Sequence, residues 1–593
     1  MCASFIAQSP PQPSHAGIPP DAVRSSPASS ALFSAFSPEV FSRAVKRRVP
    51  VFLLIGTADS AFLDPSVYAQ LTERTIPAQL LPGQRPDVEL LCQRAAALFS
   101  GEGALPICAL LLENGLPFLA APLPPAGFPL DPSRLLIWLT HADRRFCQNR
   151  AAFSRQAQDV LRSFSAPALR KPYPPKDACH DLLRAILAAQ DSINGGFGRE
   201  KAPHVPLLRF LSAESARGSR DAYDALTRSL ESMKTGALHD PIDGLYFRAT
   251  LTQDWRVFLP EKPLAINALI ALTLMENGER SDAIRIFDAL LSRFARPDGC
   301  LAPALIASRS RYAFSPEQVC ALLGDEEGLR ACRLLGLLHQ HRKSEPPVSP
   351  SRFCPPPEPR RASIDAPKTP FAPILSANLA AEDAAFLRRV TPVLLRGRAA
   401  RESEIPAPPV LVTDCALTAA VLASCGQRLG ETRYINAAQR AVHALMAQFP
   451  VTPPAGALPA SCIPAPPQSF PSCGAAAALA LAMLTLAKGE PDGLFASAGF
   501  RLLGSALRAF VREDGMVMHT PPSAHAFFPR VPAIFDSELP SPAALLVQAL
   551  KKAHALRPNT PYDEAIETIF HAAAPYMKHE PIACAGLIQA MAL

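Results

Sequence analysis

Tryptophan and tyrosine are almost lacking, 2 and 8 in 593 residues. Stacking platforms for bases or sugar rings are therefore scarce. Charge of one sign is also lacking. The formal net charge is only +7, and the densest basic run, Lys46-Arg47-Arg48, reads as a solvated helix end. No nucleic-acid partner is expected from such a weak, dispersed charge. The 14 cysteines stand singly, with no Cys-x-x-Cys pair. Scattered thiols read as small buried hydrophobes in a reducing compartment, not as a zinc knuckle or a disulfide framework. No long hydrophobic run occurs either. The longest, residues 474–487, is too short to span a bilayer, and residues 9–20 are polar and Pro-rich where a signal peptide's apolar stretch would lie. The expectation is a cytoplasmic protein with no membrane partner. His204, His239, His519 and His525 are isolated, and neither His-Glu-x-x-His nor Gly-x-Ser-x-Gly occurs. No metal, no cofactor and no serine-hydrolase elbow are expected.

What is abundant is proline, 64 residues against 29 glycines, in a chain that is 48% apolar and 19% charged. That supports sizeable cores and excludes one uninterrupted helical array. Residues 1–36 are Ser/Pro-rich without periodicity and read as a disordered leader. Residues 49–56 form a short apolar run closed by Gly56, the pattern of a buried strand. A second run at 105–112 leads through Asn114-Gly115, a hairpin signal, into a third strand. With the helical pattern of 133–164, residues 37–165 read as a small α/β domain. From about 178 onward helical spacing dominates, in segments near 178–193, 219–235, 262–277, 280–295, 316–324, 327–341, 378–391, 411–429, 432–449, 473–488, 493–512, 540–556, 562–577 and 581–592. No solenoid period recurs, which favours a closed (α/α) toroid over residues 178–593. Pro-rich stretches at 343–373 and 450–471 read as long loops inserted in it.

Several ordered segments resemble one family, the two-domain proteins named after spermatogenesis-associated protein 20. They are residues 52–56, Arg85-Pro86-Asp87, residues 101–106, Asn194-Gly195-Gly196-Phe197-Gly198, residues 244–262, residues 312–317 and residues 536–541. The resemblance implies an α/β thioredoxin-like N-terminal domain followed by a mainly α, (α/α)6 toroid of the six-hairpin glycosidase and epimerase kind. It also implies a Cys-His-Trp-Cys motif after the first strand. A helix N-terminus lowers the first thiol's pKa there, so that its thiolate attacks a disulfide. This chain instead carries Ser60-Ala61-Phe62-Leu63. With Ser60 and Leu63 in place of both sulfurs, dithiol redox activity is not expected. Pro106 matches the family's cis-proline.

The barrel segments depart in the same direction. Leu259-Pro260-Glu261-Lys262 lacks the family's His, as does Tyr246-Phe247-Arg248-Ala249, and the acidic stretch matched by residues 305–309 has lost every carboxylate. Arg248, Trp255, Glu261, Lys262, Asn267, Asp536 and Ser541 remain as cavity or binding candidates. Glu261 and Asp536 would be an acid/base pair if they faced each other; otherwise Glu261-Lys262 caps a helix and Arg248 pairs with a carboxylate at a hairpin turn. A sugar enzyme needs paired carboxylates or a His base. The leading expectation is a catalytically degenerate binding or scaffold protein. The alternative is a carbohydrate isomerase or epimerase using the barrel cavity. The expected partner is correspondingly an unidentified protein or a sugar-like small molecule.

Overall fold

The computed structural model describes residues 32–57, 60–125, 130–198, 200–338, 373–375, 379–401, 409–448, 461–462, 472–488, 490–522, 528–558 and 561–592. The 343–373 stretch thus lies outside the described residues except for 373, and 450–471 except for 461–462.

The N-terminal unit is a five-stranded mixed sheet: β1 (Ser34–Ala35), β2 (Val51–Ile55), β3 (Ile76–Leu80), β4 (Ile107–Leu111) and β5 (Pro117–Pro122). Their spatial order is β1-β3-β2-β4-β5, parallel up to β2 and antiparallel beyond it. Every residue of β2 is buried, because helices cover both faces of a central strand. The β4–β5 connection turns at Gly115, φ +78°, where the Asn114 side chain accepts from the Leu116 N–H. Five helices complete the unit: α1 (Pro38–Arg47), α2 (Pro65–Arg74), α3 (Pro86–Ser100), α4 (Pro132–Gln148) and α5 (Arg150–Arg162). The sheet starts earlier than residue 37. Ser34 and Ala35 pair with Ala78 and Gln79, and Phe33 packs edge-on to Phe62. Two residues are too few to show an alternation, so the Ser/Pro context hid this strand.

The remainder is helical: α6 (Pro175–Ala189), α7 (Val205–Ala216), α8 (Arg220–Thr235), α9 (Leu264–Glu276), α10 (Arg280–Arg293), α11 (Arg309–Tyr312), α12 (Pro316–Leu323), α13 (Asp325–Leu334), α14 (Ala381–Ala399), α15 (Val412–Leu429), α16 (Thr432–Gln448), α17 (Cys473–Leu486), α18 (Leu494–Phe510), α19 (Pro542–Leu556), α20 (Tyr562–His579) and α21 (Ala585–Ala592). Short ladders join β6 (Glu261–Pro263) to β7 (Ala304–Ile306) and β8 (Val410–Leu411) to β9 (Ser461–Cys462). Helices α7, α9, α15, α17, α19 and α21 each pack on the next, and α21 packs back on α7. This closes an inner ring. Helices α8, α10, α16, α18 and α20 lie outside it on their hairpin partners, and α6 closes the outer ring against α21. The result is an (α/α) toroid of six hairpins.

The inner helices α9 and α17 are apolar nearly all round, because neighbours cover their sides. Each residue of α17 is buried, and α9 is buried from Leu264 to Ala271. The same property conceals α7 in the sequence. Its run Val-Pro-Leu-Leu-Arg-Phe-Leu has no polar stripe, so periodicity passes over it. Conversely, α12, α13 and α14, expected within the toroid, form an insertion around their own core of Phe314, Val319, Cys332, Phe386 and Val390.

Candidate active site

Because outer and inner helices alternate along the chain, all six inner helices start at the same end. The segments leading into them make a mouth lined by helix N-termini, which favour carboxylates. Residues 236–263 supply one rim. Arg248 bonds through its backbone N–H to the Glu261 carbonyl at 2.8 Å. Its side chain grips the Glu261 carboxylate bidentately, Nε to Oε2 at 2.9 Å and Nη2 to Oε1 at 2.7 Å. Its remaining terminal nitrogen donates to Glu538, on the segment leading into α19. Arg248 thus ties two rims together while keeping 28% of its side chain exposed.

Asp414 stands in the first turn of α15. Desolvation pushes its carboxyl up to about 7; Arg248 opposes the shift, and Glu538 and Glu261 add to it. Glu89, in the first turn of α3, belongs to the N-terminal unit. Desolvation raises it to about 7 as well, although it accepts from the Gly83 N–H at 2.6 Å and lies in the field of Arg248. Asp414 and Glu89 both keep partial access to solvent. They are therefore walled by protein yet open on one side, as in a recess.

The N-terminal unit is docked on this mouth. Gly83 lies so close to Leu411 of β8 that a Cβ on it would come within 2.5 Å of Leu411 Cδ1. Arg85 and Asp87 form a bidentate pair at 2.8 and 2.6 Å, with side chains 4% and 1% exposed. The guanidinium lies 5.6 Å from the ring of Phe528. Burial holds the neighbouring His519 ring neutral, its pKa lowered to about 4. Arg94 reaches Glu580 at 2.7 Å and stacks on Phe535. The Arg85-Pro86-Asp87 segment is thus a docking element.

The other sequence candidates are held in contacts of their own. Lys262 is fully buried, its Nζ 2.5 Å from both Asp240 and Asp243 and 4.4 Å from the Tyr312 ring. Burial lowers its pKa, and the two carboxylates oppose that. Arg398 of α14 also grips Asp240, at 2.6 Å, and Arg293 pairs with Asp243. Desolvation notwithstanding, Arg398 and Lys262 hold Asp240 well below the usual carboxylate range. Asn267 holds the Tyr246 backbone, accepting from its N–H at 2.7 Å and donating to its carbonyl at 2.9 Å. Trp255 donates to the Asn194 carbonyl at 2.8 Å, and its ring fills the space beside Gly196. Asp536 accepts from the N–H groups of Ser541 and Gly586, and desolvation raises its carboxyl to about 7. Ser541 caps α19 through the Ala544 N–H. Ser60 and Leu63 bound a 3₁₀ turn after β2. The Leu105–Pro106 peptide is cis, with Pro106 packed against Gly56.

The structure therefore brings Arg248 and Glu261 together, and it joins them to two groups outside the candidate set, Glu538 and Asp414, and to Glu89 from the other unit. Glu89 follows the Arg85-Pro86-Asp87 anchor by two residues, the one hint of it in the sequence. On the outer face, a cleft of about 570 Å³ lies between α10, α14 and α16, and it carries Arg285, Arg293 and Arg433. Each of these is engaged, by the Pro241 carbonyl, Asp243 and Asp288 respectively. Among the described residues, no three His, Cys, Asp or Glu side chains converge as metal ligands do, and no helix is long and apolar enough to cross a membrane.

Fold and mouth together define the class: a six-hairpin (α/α) toroid with an α/β unit seated on its open end. No family model matches the chain. A segment is 23% identical over 249 residues to an uncharacterized protein of Caenorhabditis elegans; the match covers 38% of this chain and about a third, 33%, of that protein's length. Among solved structures, a cellobiose 2-epimerase from Spirochaeta thermophila is 14% identical, with a TM-score of 0.43 over 70% of this chain and 96% of that one. A sugar epimerase from a ruminal bacterium is 12% identical, with a TM-score of 0.41 over 68% and 87%. A D-mannose isomerase is 9% identical, with a TM-score of 0.41 over 69% and 88%.

Proposed function

We propose that the toroid mouth is an acid/base site acting on a polyhydroxy substrate, in the manner of a sugar isomerase or epimerase. The observation that carries this reading is Asp414, a carboxyl raised to about 7 beside the Arg248–Glu261 pair. A carboxyl with a pKa near working pH both takes and returns a proton, as proton abstraction next to a carbonyl requires. Arg248 supplies a fixed positive charge where an enolate oxygen would develop. The alternative raised by the sequence thus fits the mouth better than a degenerate scaffold, since charged and protonatable groups still line it.

The N-terminal unit fits a thioredoxin-like domain, as the resemblance to the spermatogenesis-associated protein 20 family implies. Its strand order and the turn at Ser60–Leu63 support that assignment. In this reading it acts as a wall of the mouth and not as a dithiol catalyst. The test is solvent deuterium incorporation at the carbon next to the carbonyl across a panel of aldoses and ketoses. Incorporation with one sugar, lowered about a hundredfold or more in Asp414→Asn, is the expected result. Absence of exchange across the panel, or full exchange in the variant, would refute the reading.

A further inference from the structure

Four carboxyl groups from four separate elements border the mouth: Glu89 on α3, Glu261 on β6, Asp414 on α15 and Glu538 before α19. Arg248 is the cation paired with two of them, and its charge acts on the other two. Helix N-termini offset part of the negative excess within a turn of their ends. Among the described residues, one guanidinium nevertheless serves four carboxyls, two by contact and two through its field. A second observation points inward. Thr418 is fully buried with no hydrogen-bond partner for its hydroxyl, and it lies one turn beyond Asp414 on the same face of α15. A buried hydroxyl without a partner is costly, and a ligand hydroxyl would satisfy it.

We infer that the mouth is a composite binding site, completed by Glu89 of the N-terminal unit, for a polyhydroxy ligand that carries a free ammonium group. The carboxyls are spread along the rim and do not converge on a point, which suits an ammonium on a hydroxylated frame. An ammonium beside Glu89 and Glu538 supplies the second positive charge, while hydroxyls meet Asp414 and Thr418. The docked position of α3, with Arg85 against Phe528, Gly83 against Leu411 and Arg94 on Glu580, is what brings Glu89 to the rim. The inference rests on the reading of the mouth as a site for polyhydroxy ligands and adds the ligand's charge and the contribution of the second unit.

The test is calorimetric titration of the full chain with glucosamine, N-acetylglucosamine and glucose at low salt. Glucosamine is expected to bind about tenfold more tightly than either neutral sugar, a gain within reach of one ion pair in a partly screened recess. In Glu89→Gln that advantage should shrink severalfold. Should Glu89→Gln unfold, Glu538→Gln must reduce the same advantage. Equal affinity for all three sugars overturns this inference and leaves the functional reading standing. An undiminished amine preference in a folded Glu89→Gln protein does the same. Failure of all three sugars to bind overturns both.

Discussion

At the scale of single residues, the mouth depends on where burial leaves a proton. Asp414 ordinarily titrates near 3.8 and is raised to about 7 in the folded chain. The folded state therefore holds this proton more tightly than the unfolded chain does. Its effect on stability is absent below the unfolded value, grows as a penalty through the window between about 4 and 7, and is complete above it. Asp414→Asn removes that penalty. Urea denaturation at pH 5 and pH 8 should show the variant gaining on the parent as pH rises, by on the order of 2 kcal/mol after allowance for its partial exposure. An equal gap at both pH values would contradict the desolvated recess. None of this is written in the residue's name or in its neighbours along the chain. The shift at Asp414 comes first from burial in the folded chain, and residues 248, 261 and 538, far away in sequence, modulate it.

At the scale of elements, β6 and the insertion are held by buried charge. Lys262 on β6 sits between Asp240 and Asp243, and Arg398 reaches the same cluster from α14. Lys262→Met would take from both Asp240 and Asp243 the ammonium that bridges them, leaving Arg398 on the one and Arg293 on the other. The expected loss is about 3–5 kcal/mol, the usual range for breaking a buried pair by removing one partner. Amide exchange should accelerate in α14 along with it. A loss under about 1 kcal/mol would show that the cluster is not what fastens the insertion. The elements differ in how far they can be read. The amphipathic outer helices announce themselves, as α8 and α16 do, because one face meets water. The inner helix α7 does not, because burial on all sides erases the period. The glycine segment is legible for a different reason: Gly195, Gly196 and Gly198 all take positive φ, which few other residues accept. A Cβ on Gly196 would also come within 2.5 Å of Trp255.

At the scale of the whole molecule, the two units share one interface. Arg85 is held by Asp87 and lies against Phe36 from its own unit and Phe528 from the toroid. Asp87→Ala removes the carboxylate from a buried guanidinium, and a destabilisation of about 3–5 kcal/mol follows. Because the pair sits at the docking surface, calorimetry should resolve a lower-melting N-terminal transition apart from the toroid, where the parent melts as one. A single unchanged transition would mean that the units are held by other contacts.

The division between sequence and structure follows from the range of the forces involved. Local patterns determined the buried central strand, the Asn-Gly hairpin, the outer helices and the glycine turn, since each depends on residues a few positions apart. The small number of Trp and Tyr residues was likewise a fact of composition. Only the tertiary structure decided that Lys262 is buried in a charge cluster while Arg248 bridges two rims. It alone decided that Asp414 and Glu89, 325 positions apart, lie in the field of the same guanidinium. Desolvation and Coulomb interaction act through space, and ring closure sets the neighbours on which they act.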